Sequence, residues 1–367
     1  MSGSGIYILF LGFITAFIVV IFSMPSLIKV AKLKNLVDSP SEDRKMHRWS
    51  IPTLGGVVIF GSIVFSYSLW FPQEYIHIDG MLNNFKYLLA CLILLFFVGV
   101  KDDIIGTAPV KKLIAHIIVG FILVVMADIR ILSMHGIFGV NNPLDLWQSY
   151  LLSIFVYTVI INAINLIDGL DGLAGLISFL ASFCFGLLFY FSGNIPLSLL
   201  SMVLCGTMLG FIIFNFSPAR VFMGDAGSLS IGAIFCVLSI NCINENFNFS
   251  PRWIEDLNKA VLTMSVMVYP LIDTLRVFIM RLIKGKSPLK ADKKHIHHYF
   301  ERTGIGHAKT SLILFFFSFS VILFQVFLEI ALSVSSPTLL LLLQISFACS
   351  LIFIIYILTR YIMKNKT

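Results

Sequence analysis

The sequence predicts an all-α integral membrane protein of about eleven transmembrane helices, with its N-terminus outside and its C-terminus cytoplasmic. Three observations predict it. Of the 367 residues, 58% are hydrophobic and 12% charged, with a mean hydropathy of +0.95, whereas a soluble domain carries about 25% charged residues. The apolar residues fall in blocks close to the ~20 that cross a bilayer as a helix. The basic residues divide unequally between alternate connections, as they do across a membrane. Such a composition excludes an ordinary cytosolic globule, a disordered chain and a disulfide-stapled secreted module.

Taken in order, the first block covers 6–27. The MSGSG before it lacks Lys and Arg and no small-residue cleavage motif ends it, so it reads as a span rather than a signal peptide. Blocks 53–71 and 85–100 follow, the latter running into VKDDIIG. Next come 112–131 and 149–164, which leads into NAINLIDGLDGLAG, then 173–191 and 196–214, which ends at NFSPARVFMGDAGSLS. Blocks 229–243, 259–283, 310–332 and 338–362 complete the series, the ninth carrying YPLIDTLRVFIMRL. Nothing long and polar interrupts them and no internal repeat is visible. The expectation is therefore a single polytopic domain over 1–367, with active-site loops near 28–52, 101–112, 162–172, 215–228 and 276–309 on the cytoplasmic side. Six cysteines (Cys91, Cys184, Cys205, Cys236, Cys242, Cys349) lie in or beside the apolar blocks without a CxxC pair, and read as small hydrophobes.

The charge supports this plan. With these boundaries, 22 of the 26 Lys and Arg residues fall on one side, which the positive-inside rule makes cytoplasmic. The net charge of +7 is thus a membrane-sidedness signal rather than a nucleic-acid one. The acids Asp102, Asp103, Asp168, Asp171, Asp225 and Asp273 all fall at or near that same face. An acid at a membrane boundary is costly and marks function by default. One-sided clustering favours an enzyme over a transporter, whose polar site belongs near the bilayer midplane.

Carboxylates gathered in this way repel one another and rise in pKa unless a cation joins them. Asp, Asn and water form the hard oxygen set that suits Mg²⁺, and Mg²⁺ with Lys, Arg and His suits a diphosphate. Asn162, Asn165, Asp168 and Asp171 recur every three residues, neighbours along a drifting helical stripe. Phe222 precedes Asp225 by three residues in a glycine-rich turn, a platform for stacking a planar base beside a metal-holding acid. The segment RLIKGKSPLKADKKHIHHYFERTG places His295, His297 and His298 in a basic loop. Without cysteine or another clear ligand nearby, phosphate contact fits them better than zinc. Residues 38–56 form a second basic loop containing Lys45 and His47.

Five ordered blocks, DSPSEDRKMHRWSIPTLGG, VKDDIIG, NAINLIDGLDGLAG, FMGDAGSLSIG and GKSPLKADKKHIHHYFERTG, together resemble the polyprenyl-phosphate N-acetylhexosamine-1-phosphate transferase family. They span Asp38 to Gly304. The HIHH form resembles the branch that primes O-antigen, enterobacterial common antigen or teichoic-acid linkage units. The DD pair is followed by Ile-Ile-Gly and lacks the lysine of a DDxxK pattern, so any role of that lysine falls to Lys111 or Lys112, or is absent.

The resemblance implies transfer of a sugar 1-phosphate, GlcNAc-1-phosphate first among candidates, from a UDP-sugar to undecaprenyl phosphate. UMP is released and Mg²⁺ is required, with Mn²⁺ as a possible substitute. It implies Asp225 and Asn165 as metal ligands, Phe222 against uracil, and Asp102 or Asp103 assisting the lipid phosphate. Asp168 and Asp171 organise the nucleotide–metal site. Lys111, Lys112, Lys45, His47, Asn162 and the histidines His295, His297 and His298 are the substrate-binding candidates. The competing classes are a multispan lipid or sugar-phosphate transporter and an envelope scaffold.

Overall fold

The computed structural model describes residues 3–34, 36–38, 51–75, 81–245, 252–255, 257–285, 296, 300 and 304–364. The apolar blocks marked by the sequence are mainly helical, the fourth (112–131) only as far as Met126, because in lipid each backbone polar group must be satisfied within its own segment. The helices are α1 (Gly3–Leu33), α2 (Gly55–Trp70), α3 (Met81–Ile105), α4 (Pro109–Phe121, continued by a π turn over Ile122–Met126), α5 (Leu146–Ile167), α6 (Leu173–Ser192), α7 (Ile195–Asn215), α8 (Gly224–Asn244), a short α9 (Arg252–Glu255), α10 (Lys259–Val266), α11 (Val268–Ile283), α12 (His307–Ile330) and α13 (Pro337–Lys364). Eight of these segments are long and apolar enough to cross a membrane by length and composition. The protein is an all-α, multi-pass membrane protein.

Local chemistry sets the ends of several helices. Pro109 opens α4, where its missing N–H costs nothing. The side chains of Asn194 and Asn258 accept from Leu197 N and Val261 N at the starts of α7 and α10. The ninth apolar block, expected as one span over 259–283, is instead broken at Met267 into α10 and α11. Pro270 explains the break: its ring has no N–H to donate and clashes with the carbonyl four residues back, at Val266.

At the centre lies α8, buried along nearly its whole length from Ala226 to Ile240. Its first turn is reached closely by α2 and α3. A Cβ on Gly56 would stand 2.1 Å from Gly227 N, and one on Gly99 would stand 2.4 Å from Ala226 N. Absent side chains therefore let two helices pack backbone to backbone against the start of a third. A two-stranded antiparallel ribbon, β1 (Val37–Asp38) with β2 (Ile51–Pro52), leads into α2, Val37 opposite Pro52 and Asp38 opposite Ile51. All six cysteines are free thiols.

Candidate functional site

Four of the six acids singled out by the sequence, Asp102, Asp103, Asp168 and Asp225, meet where α3 and α5 end and α4 and α8 begin. Gly224, at φ +70°, turns the chain into α8; any side chain there would be strained and would meet Thr53 O at 2.2 Å. The first N–H groups of a helix have no partner within it, and here carboxylates from two other helices supply them. Gly224 N donates to Asp168 Oδ2 (3.1 Å), Asp225 N to Asp103 Oδ1 (2.7 Å) and Ala226 N to Asp103 Oδ2 (3.1 Å). Negative charge at a helix N-terminus is favourable, so Asp103 and Asp168 hold α8 in place.

The Asp225 side chain, fixed by that turn, receives Asn165 Nδ2 on Oδ1 at 3.0 Å and the Lys112 ammonium on Oδ2. Lys112 Nζ also lies 2.6 Å from Asp102 Oδ2. One ammonium thus joins two carboxylates that would otherwise repel. Asn165 Nδ2 further donates to Ser228 Oγ, one turn along α8 (2.9 Å).

The site remains short of positive charge. Asp168, just beyond α5, is pushed well above the usual carboxylate range by burial and then by the charges of Asp225 and Asp103. Asp103, past the apolar stretch of α3, is raised to about 7 by burial, against the lowering pull of its two backbone hydrogen bonds. Asp102 Oδ1 is buried without a hydrogen-bond partner.

These features fit a divalent cation. Asp225 and Asp102 converge on a point already occupied by an ammonium, and one carboxylate oxygen is orphaned. Among the described residues no group of three His, Cys, Asp or Glu closes around a common point. A divalent ion held by the two carboxylates and Asn165 would therefore need waters or substrate phosphates to complete its shell.

The other expected site residues divide. Asp171 is 3% exposed and turned to the far side of its loop. Its Oδ2 accepts from Ala219 N (3.2 Å), its Oδ1 lies 3.2 Å from His307 Nδ1, and its carbonyl accepts from Ser311 Oγ (2.8 Å). It braces the loop before α8 and the start of α12. Asn162 Nδ2 donates to Thr158 O on its own helix (2.8 Å). Lys111 is exposed, and Lys112 fills the cationic role. Phe222 is half-buried, with its backbone clamped: Phe222 N donates to Pro52 O (2.8 Å), and its carbonyl accepts from Gly55 N (3.0 Å). Lys45, His47, His295, His297 and His298 lie outside the described residues.

Sequence reasoning missed Asn215, 2% exposed, which accepts from Gly172 N (2.9 Å) and donates to Val221 O (2.9 Å). It ties the Asp168–Asp171 loop to the loop carrying Phe222. An Asn ending an otherwise apolar block was the available signal. His307 and Ser311 gave none, since their roles depend on the approach of α12.

The two adjacent acids of α3 should respond differently to replacement. Asp103→Ala leaves two N–H groups at the start of α8 unsatisfied and should cost about 1–3 kcal/mol of stability. Asp102→Ala should leave the melting temperature nearly unchanged while lowering turnover, because Lys112 keeps Asp225. Thermal unfolding and initial rates on both variants check this; matching stability losses would contradict the division of roles.

Residues 85–243, which enclose all of this carboxylate cluster, match the sequence model described as glycosyl transferase family 4. The chain is 29% identical over 293 residues to an undecaprenyl-phosphate alpha-N-acetylglucosaminyl 1-phosphate transferase of Yersinia pestis, covering 77% of this chain and 75% of the relative. It is 28% identical over 281 residues to the protein of that name in Escherichia coli (strain K12), covering 75% and 72%. A decaprenyl-phosphate N-acetylglucosaminephosphotransferase of Mycolicibacterium smegmatis is 31% identical over 234 residues, covering 60% and 58%. The ordered blocks, the multi-pass fold and these similarities agree: over residues 85–243 the chain is similar to glycosyl transferase family 4.

Proposed function

We propose that the protein transfers N-acetylglucosamine 1-phosphate from UDP-N-acetylglucosamine to undecaprenyl phosphate and releases UMP. The reading is carried by the Asp102–Lys112–Asp225 cluster at one end of an apolar bundle, in a chain similar to relatives named for that transfer. A prenyl acceptor stays in the bilayer, so its phosphate must meet a soluble donor at headgroup level, where helix ends lie. The excess of Lys and Arg on that side supports reading the site as cytoplasmic, at the face of a bacterial inner membrane. The product would then be the first lipid-linked sugar of an envelope polysaccharide.

Asp225 and Asp102, with Asn165 beside them, are the residues that would hold Mg²⁺. When bound, the ion neutralises charge on the diphosphate. Lys112 keeps the two carboxylates together, and Asp103 and Asp168 fix the turn that aims Asp225. Phe222, set by its clamped backbone, stacks on the base. The acceptor phosphate attacks the sugar-bearing phosphorus directly: a new P–O bond forms as the P–O bond to UMP breaks. A monoester with a second pKa near ~6 is already largely anionic at pH 7, so no strong base is needed. A carboxylate nucleophile is disfavoured, because Asp103, Asp168 and Asp171 receive backbone N–H groups while Asp102 and Asp225 face an ammonium.

Two outcomes are expected with purified protein. EDTA should abolish product formation, and Mg²⁺ or Mn²⁺ should restore it; undiminished rates in EDTA would remove the cation from the reaction. Without acceptor lipid, labelled UMP should not exchange into the UDP-sugar. Exchange under those conditions would establish a phospho-enzyme and overturn direct attack.

A further inference from the structure

One buried polar side chain takes no part in the bonding described so far. His116, on α4, is 1% exposed, and among the described residues neither its Nδ1 nor its Nε2 has a hydrogen-bond partner. An imidazole has two nitrogens to satisfy, and burying it unpartnered is costly. His116 lies four residues after Lys112, so the two side chains share one face of α4, a turn apart. Helical side chains lean toward the N-terminus, which brings the ring beneath Lys112. The charge that acts on the ring is the Lys112 ammonium. Four residues further along that face, a Cβ on Gly120 would stand 3.4 Å from Tyr157 Cβ. The stripe Lys112–His116–Gly120 thus runs from the carboxylate cluster into the contact between α4 and α5.

A second observation is where that ammonium sits. Lys112 Nζ contacts Asp225 Oδ2 and lies 2.6 Å from Asp102 Oδ2. These are the two carboxylates that would hold a divalent ion. An ammonium and a dication cannot share one point, since like charges in contact repel strongly where water is partly excluded. Lys112 must therefore move when an ion enters, and its ammonium then needs an acceptor within reach. The lone pair of an unprotonated imidazole is such an acceptor.

We propose that His116 receives the Lys112 ammonium when a divalent cation takes its place between Asp102 and Asp225. His116 is then a positioning residue: it touches neither ion nor substrate and acts through Lys112. The proposal rests on the reading of the cluster as the cation site. By stabilising the arrangement with Lys112 withdrawn, the histidine raises the fraction of protein able to bind the ion.

The test titrates Mn²⁺ by electron paramagnetic resonance against the full protein in phosphatidylcholine nanodiscs, without nucleotide or prenyl lipid. Wild type is compared with His116→Leu, His116→Gln, Lys112→Met and the Leu/Met double variant. His116→Leu should weaken Mn²⁺ binding about tenfold, the size of one hydrogen bond to a charged group. Its melting temperature without metal should stay equal or rise, because an unpartnered buried polar group is removed. His116→Gln keeps an acceptor and should stay within about threefold of wild type. Lys112→Met vacates the position of the ion and should tighten binding, and adding His116→Leu to it should change affinity less than about twofold. Wild-type affinity in His116→Leu overturns the proposal, as does unchanged or weaker binding in Lys112→Met. An equal loss with and without Lys112 also overturns it, since the histidine would not act through the ammonium. A fall in melting temperature shared by the Leu and Gln variants would make His116 a brace of the fold instead. Wild-type protein that binds no Mn²⁺ is read separately: it overturns the cation reading of the cluster, and the proposal with it.

Discussion

Asparagine in place of Asp225 should lower turnover by about three orders of magnitude, roughly 4 kcal/mol of transition-state stabilisation. The substitution preserves shape and leaves the N–H of residue 225 on Asp103, so the start of α8 stays in place. What it removes is the charge that faces Lys112 and would face a divalent ion. Initial rates over a Mg²⁺ titration measure the effect. More than about a tenth of wild-type activity with unchanged Mg²⁺ dependence would contradict the role given to this carboxylate.

Alanine at Gly56 should be nearly as damaging, for a different reason. The added Cβ would lie 2.1 Å from Gly227 N and 2.7 Å from Ala226 C, both backbone atoms that cannot rotate aside. Overpacking of this kind costs about 1–3 kcal/mol even where side chains can yield. Moving α8 also pulls Asp225 away from Lys112 and opens the turn held by Asp103 and Asp168. Turnover should fall at least about a hundredfold in whatever protein folds, consistent with the steep cost of small misplacements. Gly61→Ala, on the same helix with nothing within 4 Å of its Cβ, is the control and should be close to neutral. Similar losses in both variants would show that the α2–α8 contact is not what matters.

Much of this was legible in the sequence because membrane helices are written as composition. Hydropathy marks each apolar block, and the blocks become helices because lipid offers no other partner for the backbone. The broken ninth block was also written there, in Pro270, but its apolar content outweighed one proline. For the site, Asp102, Asp225, Asn165 and Lys112 could be named, since acids and a lysine at helix ends carry a cost that function must explain.

Their division of labour was not legible. Which acid faces an ammonium and which receives backbone N–H groups depends on how closely α2 and α3 come to α8, and that follows from Gly56 and Gly227 on one side and Gly99 on the other. Asp171 matched the same sequence pattern as Asp168 yet turns to Ala219 and His307. Asn162 shared the three-residue spacing, but a step of three drifts around a helix of 3.6 residues per turn. Over one repeat it leaves the cluster and donates to Thr158 instead.

The most direct test of the proposed reaction follows the β-phosphate of the donor. Purified protein in nanodiscs is given undecaprenyl phosphate and UDP-N-acetylglucosamine labelled with ³²P at the sugar-bearing phosphorus. Transfer of the sugar 1-phosphate carries the label into the organic-extractable lipid and releases unlabelled UMP in equal amount. Label that stays in water-soluble UDP while sugar enters the lipid would mean simple glycosyl transfer. Label that stays in intact UDP-N-acetylglucosamine, with no lipid product, would contradict the enzymatic reading altogether.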